Sequence, residues 1–190
     1  MKAIVFLVGT CTLFNCVSTK AQNAAAPSIT TAPLGTAQLA MYRDFLATWN
    51  AGAKTALNVA STTEPFAPLD DDLKGCLRQF PKVHHAMVYT IPASAFDGLD
   101  VLLVDPRTHQ KRDPGDAIRN GQPVDDAVDA GIAAGIFTFS ETIFNSDHTR
   151  AAFTYSFVCG GLCGNGGTIL FQRKNGKWIR EQNRCGSWES

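Results

Sequence analysis

The residues of this chain that could do chemistry are concentrated in one stretch, residues 157–167, which reads FVCGGLCGNGG. Its cysteines could ligate a metal, form a redox pair or join other cysteines in disulfides, and its glycines could cradle a phosphate group. Each of these chemistries requires different surroundings. The spacing of the cysteines and the elements on either side of the stretch therefore distinguish them.

A metal or redox site fits this spacing poorly. Cys159 and Cys163 are separated by three residues, whereas paired zinc knuckles and thioredoxin-like redox loops use Cys-x2-Cys. Only Cys185 follows them, and Cys76 lies far upstream. A phosphate cradle requires a helix after its glycines, but an alternating, strand-like segment follows here. The sequence therefore predicts neither a metal nor a cofactor.

Disulfides account better for the cysteines that the mature chain would keep, which are Cys76, Cys159, Cys163 and Cys185. An even count in an oxidising compartment predicts two disulfides, with three possible pairings. We favour Cys76–Cys159 with Cys163–Cys185. Cys76 and Cys159 lie on apolar faces of their predicted elements, and a hairpin register would bring Cys185 near position 166. The exchange of Cys159 and Cys163 remains open.

No catalytic constellation can be recognised among the other polar residues. The histidines, His84, His85, His109 and His148, lack ligand spacing, and no serine has a Gly-x-Ser-x-Gly setting. Turns, helix starts and solvated helix faces explain the clustered acids, which are Asp70, Asp71, Asp72, Asp105, Asp113, Asp125, Asp126 and Asp129. We therefore predict no catalytic residue.

Residues 1–21 have the composition of a signal peptide. Lys2 precedes an apolar stretch, and Thr19 and Ala21 are the small residues that a signal peptidase reads, so cleavage is expected after Ala21. Lipoprotein processing at Cys16 is the alternative. The apolar stretch is shorter than the roughly 20 residues that span a bilayer as a helix. The sequence therefore predicts export, to the periplasm or the medium, without a transmembrane segment.

The mature chain is expected to have a flexible leader, residues 22–35, and a single domain, residues 36–190. Cleavage of the signal removes two of the 17 basic residues and none of the 17 acidic ones. The slightly negative charge that results gives no basis for a nucleic acid or an anionic membrane as a partner. The expected partner is a protein, an envelope component or a small ligand.

Helical periodicity predicts a helix over residues 36–51, with Thr36 as its cap and Gly52 as its terminator. Two further helices are predicted over residues 70–80 and 123–134. The apolar stripes comprise Leu39, Tyr42, Phe45, Leu46 and Trp49 in the first helix, Leu73, Cys76, Leu77 and Phe80 in the second, and Val124, Val128 and Ile132 in the third. Residues 53–69 and 105–121 are expected to be loops.

Strand patterns dominate the C-terminal half. The predicted strands span residues 83–91, 99–104, 136–144, 149–159, 168–174 and 177–183. Asn175-Gly176 is a strong hairpin signal. In the strand over 149–159, the residues that share one face are Ala151, Phe153, Tyr155, Phe157 and Cys159. Because the helices are grouped early and the strands late, we predict an α+β fold with N-terminal helices packed on a C-terminal antiparallel sheet.

The C-terminal part of the chain, residues 139–179, resembles a group of uncharacterised exported bacterial proteins. Four elements carry the resemblance: Phe144-Asn145, the acid Asp147 in the following turn, the Cys-Gly-x-Leu-Cys-Gly loop over residues 159–164, and the Gly-Lys-Trp hairpin over residues 176–178. This resemblance implies export from a bacterial cell. The Gly-Lys-Trp ending is also similar to NTF2-like domains, which implies a curved sheet enclosing a pocket as the alternative fold.

Two functions are compatible with this sequence. A disulfide-stabilised α+β domain without a catalytic constellation is typical of an exported binding or envelope-associated protein. The alternative is a small exported hydrolase or thiol enzyme, in which residues such as His85, Tyr89 and a loop acid converge only in the folded chain. A pocket lined by His85 and carboxylates would favour the enzyme, whereas a filled core with a flat exposed patch would favour the binding protein.

Overall fold

The computed structural model describes residues 28–81, 87–161, 163–182 and 185–190 of the 190-residue chain. The helices in these ranges are α1 (Thr36–Asn50), α2 (Asp70–Lys74), α3 (Pro114–Arg119) and α4 (Val124–Ala133), with a 3-10 turn at Ala93–Phe96. The strands are β1 (Ser28–Pro33), β2 (Leu57–Ala60), β3 (Met87–Thr90), β4 (Val101–Val104), β5 (Ile136–Phe139), β6 (Ile143–Phe144), β7 (Arg150–Gly160), β8 (Cys163–Lys174), β9 (Lys177–Arg180) and β10 (Ser187–Glu189). None of the described helices is long and apolar enough to cross a membrane.

A long antiparallel hairpin, β7 and β8, forms the centre of the main sheet. Its strands pair from Arg150 opposite Gln172 to Gly160 opposite Cys163. Each outer edge of the hairpin is continued by two short strands: β5 and β6 pair with β7, and β9 and β10 pair with β8. The result is a curled sheet of eight strands that dominates the α+β fold.

The sheet is mixed, so the prediction of an antiparallel sheet is wrong for one side of it. β2 pairs in parallel with both β4 and β5, and β2 lies within residues 53–69, which the sequence assigned to a loop. Parallel neighbours require long crossover connections, and here α3 and α4 belong to the connection from β4 to β5. The pattern missed β2 because Asn58, Val59 and Ala60 are all buried, so that polar and apolar residues do not alternate.

Helix α1 lies against one face of the sheet and supplies much of the core. Tyr42, Phe45 and Leu46 are buried, and the Tyr42 ring stacks on Phe139 at 4.8 Å and meets Phe153 edge-on at 4.9 Å. The predicted inward face of β7 is confirmed, because these residues are buried or packed against the core: Ala151, Phe153, Tyr155, Phe157 and Cys159. Helix α1 therefore covers the face of β7 that carries these residues.

The helix boundaries differ from the predictions at several points. Gly35 rather than Thr36 occupies the N-cap of α1, and its N–H donates to Gln38 Oε1 at 2.8 Å. Helix α2 ends at Lys74, and the chain continues to residue 80 in turns rather than as a helix. The predicted loop over residues 105–121 contains α3, which Asp113 caps by accepting from the N–H of Gly115 at 2.8 Å.

Helix α4 forms where it was predicted, but it turns its larger apolar residues outward. Val124 and Ile132 are 57% and 51% exposed, whereas Ala127 and Gly131 are buried. Gly131 lies directly against the Pro114 ring of α3, at a separation that leaves no room for a Cβ atom. Close contact with α3 therefore selects the small residues for the inner face.

The strands are also divided differently. Residues 136–144 form two strands, because the N–H of Glu141 turns away to donate to the Glu64 carbonyl at 2.7 Å. β8 begins at residue 163 rather than 168, and β10 was not predicted. In the predicted flexible leader, residues 28–33 form β1, which pairs in parallel with β3. The strand predicted over 83–91 is described only from residue 87.

The structure contains two disulfides, Cys76–Cys185 and Cys159–Cys163, with Cα separations of 5.8 and 5.2 Å. Our favoured pairing is therefore wrong, and so is the exchange of Cys159 and Cys163. The register set by the Asn175-Gly176 turn holds through β9. It does not extend to β10, where Ser187 pairs with Gly167, so Cys185 is not placed where that register would put it. Cys185 thereby reaches Cys76, while Cys159 and Cys163 close the tip of their own hairpin.

Candidate ligand-binding cavity

An apolar cavity of about 590 Å³ lies at the end of the sheet where the β7–β8 hairpin turns. Trp49 at the end of α1 forms one side, and the segment from Gly52 to Asn58 continues it. Ile132 and Ala133 of α4 form the opposite side. The elements that enclose the cavity are therefore the long helix, the missed parallel strand β2 and the crossover helix.

Three aromatic rings form the inner wall. Trp49 lies 5.2 Å from Phe137 and 6.2 Å from Phe157, and these two phenylalanines are 4.7 Å apart, measured between ring centroids. Gly135 lies against the Phe157 ring and the Cys159 side chain, and a Cβ atom there would overlap with the ring. The glycine therefore allows Phe157 to lie flat against the start of β5.

Polar groups at the wall are few. The Nδ2 of Asn58 donates to the carbonyls of Ala133 and Gly135, both at 3.0 Å, which fixes the end of α4 to β2. Asn165, opposite Phe157 in the hairpin and therefore on the same face, also lines the cavity. Its Oδ1 is buried, and no described residue donates a hydrogen bond to it. A buried acceptor without a donor costs about 1–3 kcal/mol, so a ligand that donates a hydrogen bond to Asn165 would gain binding free energy.

The mouth of the cavity carries one opposite-charge pair. Lys54 Nζ donates to Asp129 Oδ2 at 2.9 Å, and their side chains are 80% and 60% exposed. The pair is largely solvated, so it contributes little to stability. Because the two charges neutralise each other, the entrance does not select for a strongly charged ligand.

The Cys159–Cys163 disulfide also lines the cavity. Cys159 is fully buried, and its sulfur lies 3.2 Å from the carbonyl oxygen of Cys163. Because the bridge holds the hairpin tip closed, it fixes the distance between Phe157 on β7 and Asn165 on β8. The predicted structural role for this cysteine pair agrees with that position.

A wider groove of about 810 Å³ lies on another side of Trp49, between α1 and the β8–β9 edge. Polar side chains on its rim already interact with one another, because Arg180 contacts Asp44 at 3.8 Å and donates to Thr48 Oγ1 at 3.4 Å. Binding sites are usually apolar clefts with a few convergent polar groups. The smaller cavity beside Asn165 fits that description better.

The residues considered as ligands or acid–base groups do not converge at this cavity. His109 Nε2 lies 2.8 Å from the Ala134 carbonyl, and the His148 ring stacks on Phe144 at 5.3 Å. His84 and His85 lie outside the described residues, so the pocket lined by His85 is untested. Tyr89 lies in β3 and packs against the main core.

The predicted turn acids occupy structural positions. Asp105 holds Arg107 through its side chain. Asp113 caps α3 and also accepts from the N–H of Gly161 at the hairpin tip, and these backbone hydrogen bonds, Gly161 first, lower the pKa of Asp113. Among the acids on α4, Asp129 pairs with Lys54.

Asp72 is the exception to the explanation by helix capping. It is buried, and its carboxylate accepts from Thr168 Oγ1 at 2.7 Å and from the N–H of Gly186 at 2.5 Å. Its oxygens lie within 4.8 Å of the sulfurs of Cys76 and Cys185. These sulfurs share a disulfide, and thiolates are the metal-binding form of cysteine. The hydrogen bonds therefore explain the position of Asp72 without a metal.

Sequence reasoning missed Trp49 and Asn165 as site residues. Trp49 was assigned to the apolar stripe of α1, and nothing in its spacing shows that it also lines a cavity at the edge of the core. Asn165 stands between glycines in the stretch 164–167. A polar side chain in a predicted turn is expected to be exposed to solvent, so the sequence gives no signal that its amide is buried. In β8 these glycines belong to a strand instead, which places the amide against Phe157.

Comparison of the chain with protein-family models, with curated proteins and with solved structures finds no match.

Proposed function

We propose that this protein is an exported, disulfide-stabilised binding protein that takes a small, largely apolar molecule with one hydrogen-bond donor into the cavity beside Trp49. The observation that carries the proposal is the buried, unpartnered Oδ1 of Asn165 in a cavity whose wall is formed by aromatic rings. Rotation of the Asn165 side chain would turn this acceptor, which protein atoms now enclose, toward a donor on the ligand, and the rings would cover the ligand's apolar surface.

Export is supported by the chemistry of the cysteines. All four cysteines of the predicted mature chain are joined in two bridges, and disulfides persist in oxidising compartments. The signal peptide itself, residues 1–21, and Cys16 lie outside the described residues. The resemblance to exported bacterial proteins and the curved, pocket-forming sheet of NTF2-like domains are consistent with this proposal.

The thiol-enzyme alternative has less support. A nucleophilic cysteine must be a free thiolate, and Cys159, the cysteine that is buried beside the cavity, is bonded to Cys163. The charged groups at the cavity mouth, Lys54 and Asp129, are engaged with each other. Ligand binding therefore accounts for the lining residues better than acid–base or thiol chemistry.

The test compares 2-naphthol with 2-methylnaphthalene, which have the same shape but differ in a hydroxyl and a methyl group. Titration calorimetry should show tighter binding of 2-naphthol by the wild-type protein. Asn165→Leu should remove that preference, a change of about 5- to 10-fold, which corresponds to about 1–1.4 kcal/mol, in the upper half of the usual contribution of a hydrogen bond. Binding of neither compound, or an equal preference in wild type and variant, would contradict the proposal.

A filling substitution provides the control for location. Ala133→Phe should weaken the binding of both compounds, because Ala133 lines the cavity. Val124→Phe, on the same helix but 57% exposed, should leave both affinities unchanged. Equal effects of the two variants would show that the compounds bind elsewhere, which would also overturn the proposal.

A further inference from the structure

A second, smaller cavity lies on the opposite face of the β7–β8 hairpin and has a different chemical character. Its volume is about 140 Å³, close to that of cavities that hold a single benzene-sized molecule. Its floor is formed by strand residues whose side chains point away from α1, namely Thr138, Thr154, Ser156 and Thr168, and by Ser140 after β5. Beside this cavity the face therefore supplies hydroxyl groups, whereas Ala152 and Leu170 on the same face belong to a second apolar cluster.

The hydroxyls are arranged next to a carboxylate. Thr138 Oγ1 and Ser156 Oγ lie 2.7 Å apart, and Thr138 and Glu64 both line the cavity. The Glu64 backbone is fixed at the edge of β5, where its N–H donates to the Phe139 carbonyl at 2.7 Å. Partial burial raises the pKa of Glu64, against the lowering by Thr138. Glu64 thus lines the cavity from an exposed position.

The walls of this cavity are apolar. Pro65 and Leu69 form one side, and Trp188 of β10 forms the other. The Trp188 indole rests on Gly166, at a distance that leaves no room for a Cβ atom. This contact explains why glycines stand in this part of β8: without side chains, they let the indole pack directly on the sheet. Trp188 remains 36% exposed and presents its ring to the cavity.

The described residues that line the cavity carry charge of one sign. Glu64 is one of them, and no described lining residue is a lysine, arginine or histidine. Among the described residues, Glu64 also forms no salt bridge. An anion would be repelled, whereas a cation would gain from the carboxylate and from the face of an indole, the aromatic ring that binds cations best.

We propose that the cavity between Glu64 and Trp188 binds a small alkylammonium or quaternary ammonium ion. The carboxylate of Glu64 provides the counter-charge for the ammonium group. The alkyl groups are surrounded by Trp188, Pro65 and Leu69. The Thr138–Ser156 hydroxyl pair can accept a hydrogen bond from a polar substituent or donate one to it. This site is independent of the apolar cavity, because it lies on the other face of the hairpin and shares none of its binding side chains.

The experiment uses choline and 3,3-dimethyl-1-butanol, which have nearly the same shape but differ in charge. Titration calorimetry of the disulfide-bonded protein should detect choline and show at least 10-fold weaker binding of the neutral alcohol. Glu64→Gln should weaken choline binding by at least 10-fold. Glu189→Gln, which removes an exposed carboxylate next to Trp188 but outside the cavity, should change it by less than twofold.

The indole N–H resonance of Trp188, identified among three tryptophans by the Trp188→Phe variant, should shift on addition of choline. No detectable choline binding would overturn the proposal. So would equal binding of the neutral alcohol, or equal losses in Glu64→Gln and Glu189→Gln, because a general effect of negative charge would then explain the affinity. Failure of choline to bind leaves the 2-naphthol result unaffected, so the two sites are tested separately.

Discussion

Asp72 shows how much a single buried polar residue can organise in this fold. Its carboxylate connects three segments that are distant in sequence: its own helix α2, Thr168 in β8 and Gly186 near the C-terminus. Cys76, in the turn after α2, is bonded to Cys185, the residue before Gly186. The carboxylate and the disulfide therefore attach the same part of the chain to the sheet.

Asp72→Ala should lower the free energy of unfolding by about 2–4 kcal/mol, because the Gly186 N–H and the Thr168 hydroxyl would lose a charged acceptor inside the protein. Asp71→Ala, one residue earlier and exposed, should change it by less than about 0.5 kcal/mol. Urea unfolding with the disulfides intact measures both. Equal small effects would show that the Asp72 hydrogen bonds do not contribute to stability.

Tyr42 should make stability depend on pH in the alkaline range. Burial raises the pKa of its phenol, which donates to the Ser140 carbonyl at 2.7 Å. The native protein therefore keeps this proton where the unfolded chain, with a tyrosine pKa of about 10, releases it. The free energy of unfolding should fall as pH rises above about 10, and the fall should be smaller in Tyr42→Phe. Identical pH profiles of wild type and variant would contradict this assignment.

At the scale of the elements, the sequence predicted best where polar and apolar residues alternate. The β7 face was correct because the aromatic residues Phe153, Tyr155 and Phe157 alternate with Thr154 and Ser156. The Asn175-Gly176 turn was also correct, with Lys174 opposite Lys177 and Arg173 opposite Trp178. Both residues of this turn have positive φ, 50° and 78°, as this type of hairpin requires.

Trp178 allows a test of that hairpin. It is half-buried, packs on Phe144 at 5.6 Å and lies beneath the Arg173 guanidinium at 6.0 Å. Trp178→Ala should lower the free energy of unfolding by about 2–4 kcal/mol, as truncation of large aromatic residues does. Ile179→Ala, on the other face of β9 and 48% exposed, is the control and should have a small effect. An unchanged melting temperature in Trp178→Ala would show that this indole contributes little to packing.

The elements that could not be predicted depend on contacts between distant segments. β2 is four residues long and buried, so its pairing with β4 and β5 leaves no periodic signal. The outward stripe of Val124, Val128 and Ile132 followed the helical period correctly, but contact with Pro114 decided which face of α4 was buried. Local patterns fix the period of an element, whereas its neighbours fix its orientation.

At the scale of the whole molecule, the two disulfides should contribute very differently to stability. Cys76 and Cys185 are 109 residues apart, whereas Cys159 and Cys163 are four apart. In the chain-entropy model a long closed loop contributes about 4–5 kcal/mol and a very short one about 2 kcal/mol. Replacing both cysteines of the long bridge by serine should therefore be the more destabilising change. Peptide mapping without reductant checks the pairing, and a peptide joining Cys76 to Cys159 would contradict it.

The candidate cavity itself could not be derived from the sequence. Its wall combines the end of α1, the start of β2, the outer residues of α4 and one amide of β8, and no motif connects these four positions. The sequence did predict that Cys159 and Cys163 form disulfides with a structural role, but it assigned them to other partners.

The most direct test of the account is an NMR titration of the disulfide-bonded protein with 2-naphthol. Intermolecular NOEs should connect the bound compound to the rings of Trp49, Phe137 and Phe157, and the Asn165 side-chain amide should shift with the same affinity. The Asn165→Leu variant should retain the ring contacts while binding about 5- to 10-fold more weakly. NOEs to other residues, or no saturable shift of the Asn165 amide, would contradict the assignment of this cavity as the binding site.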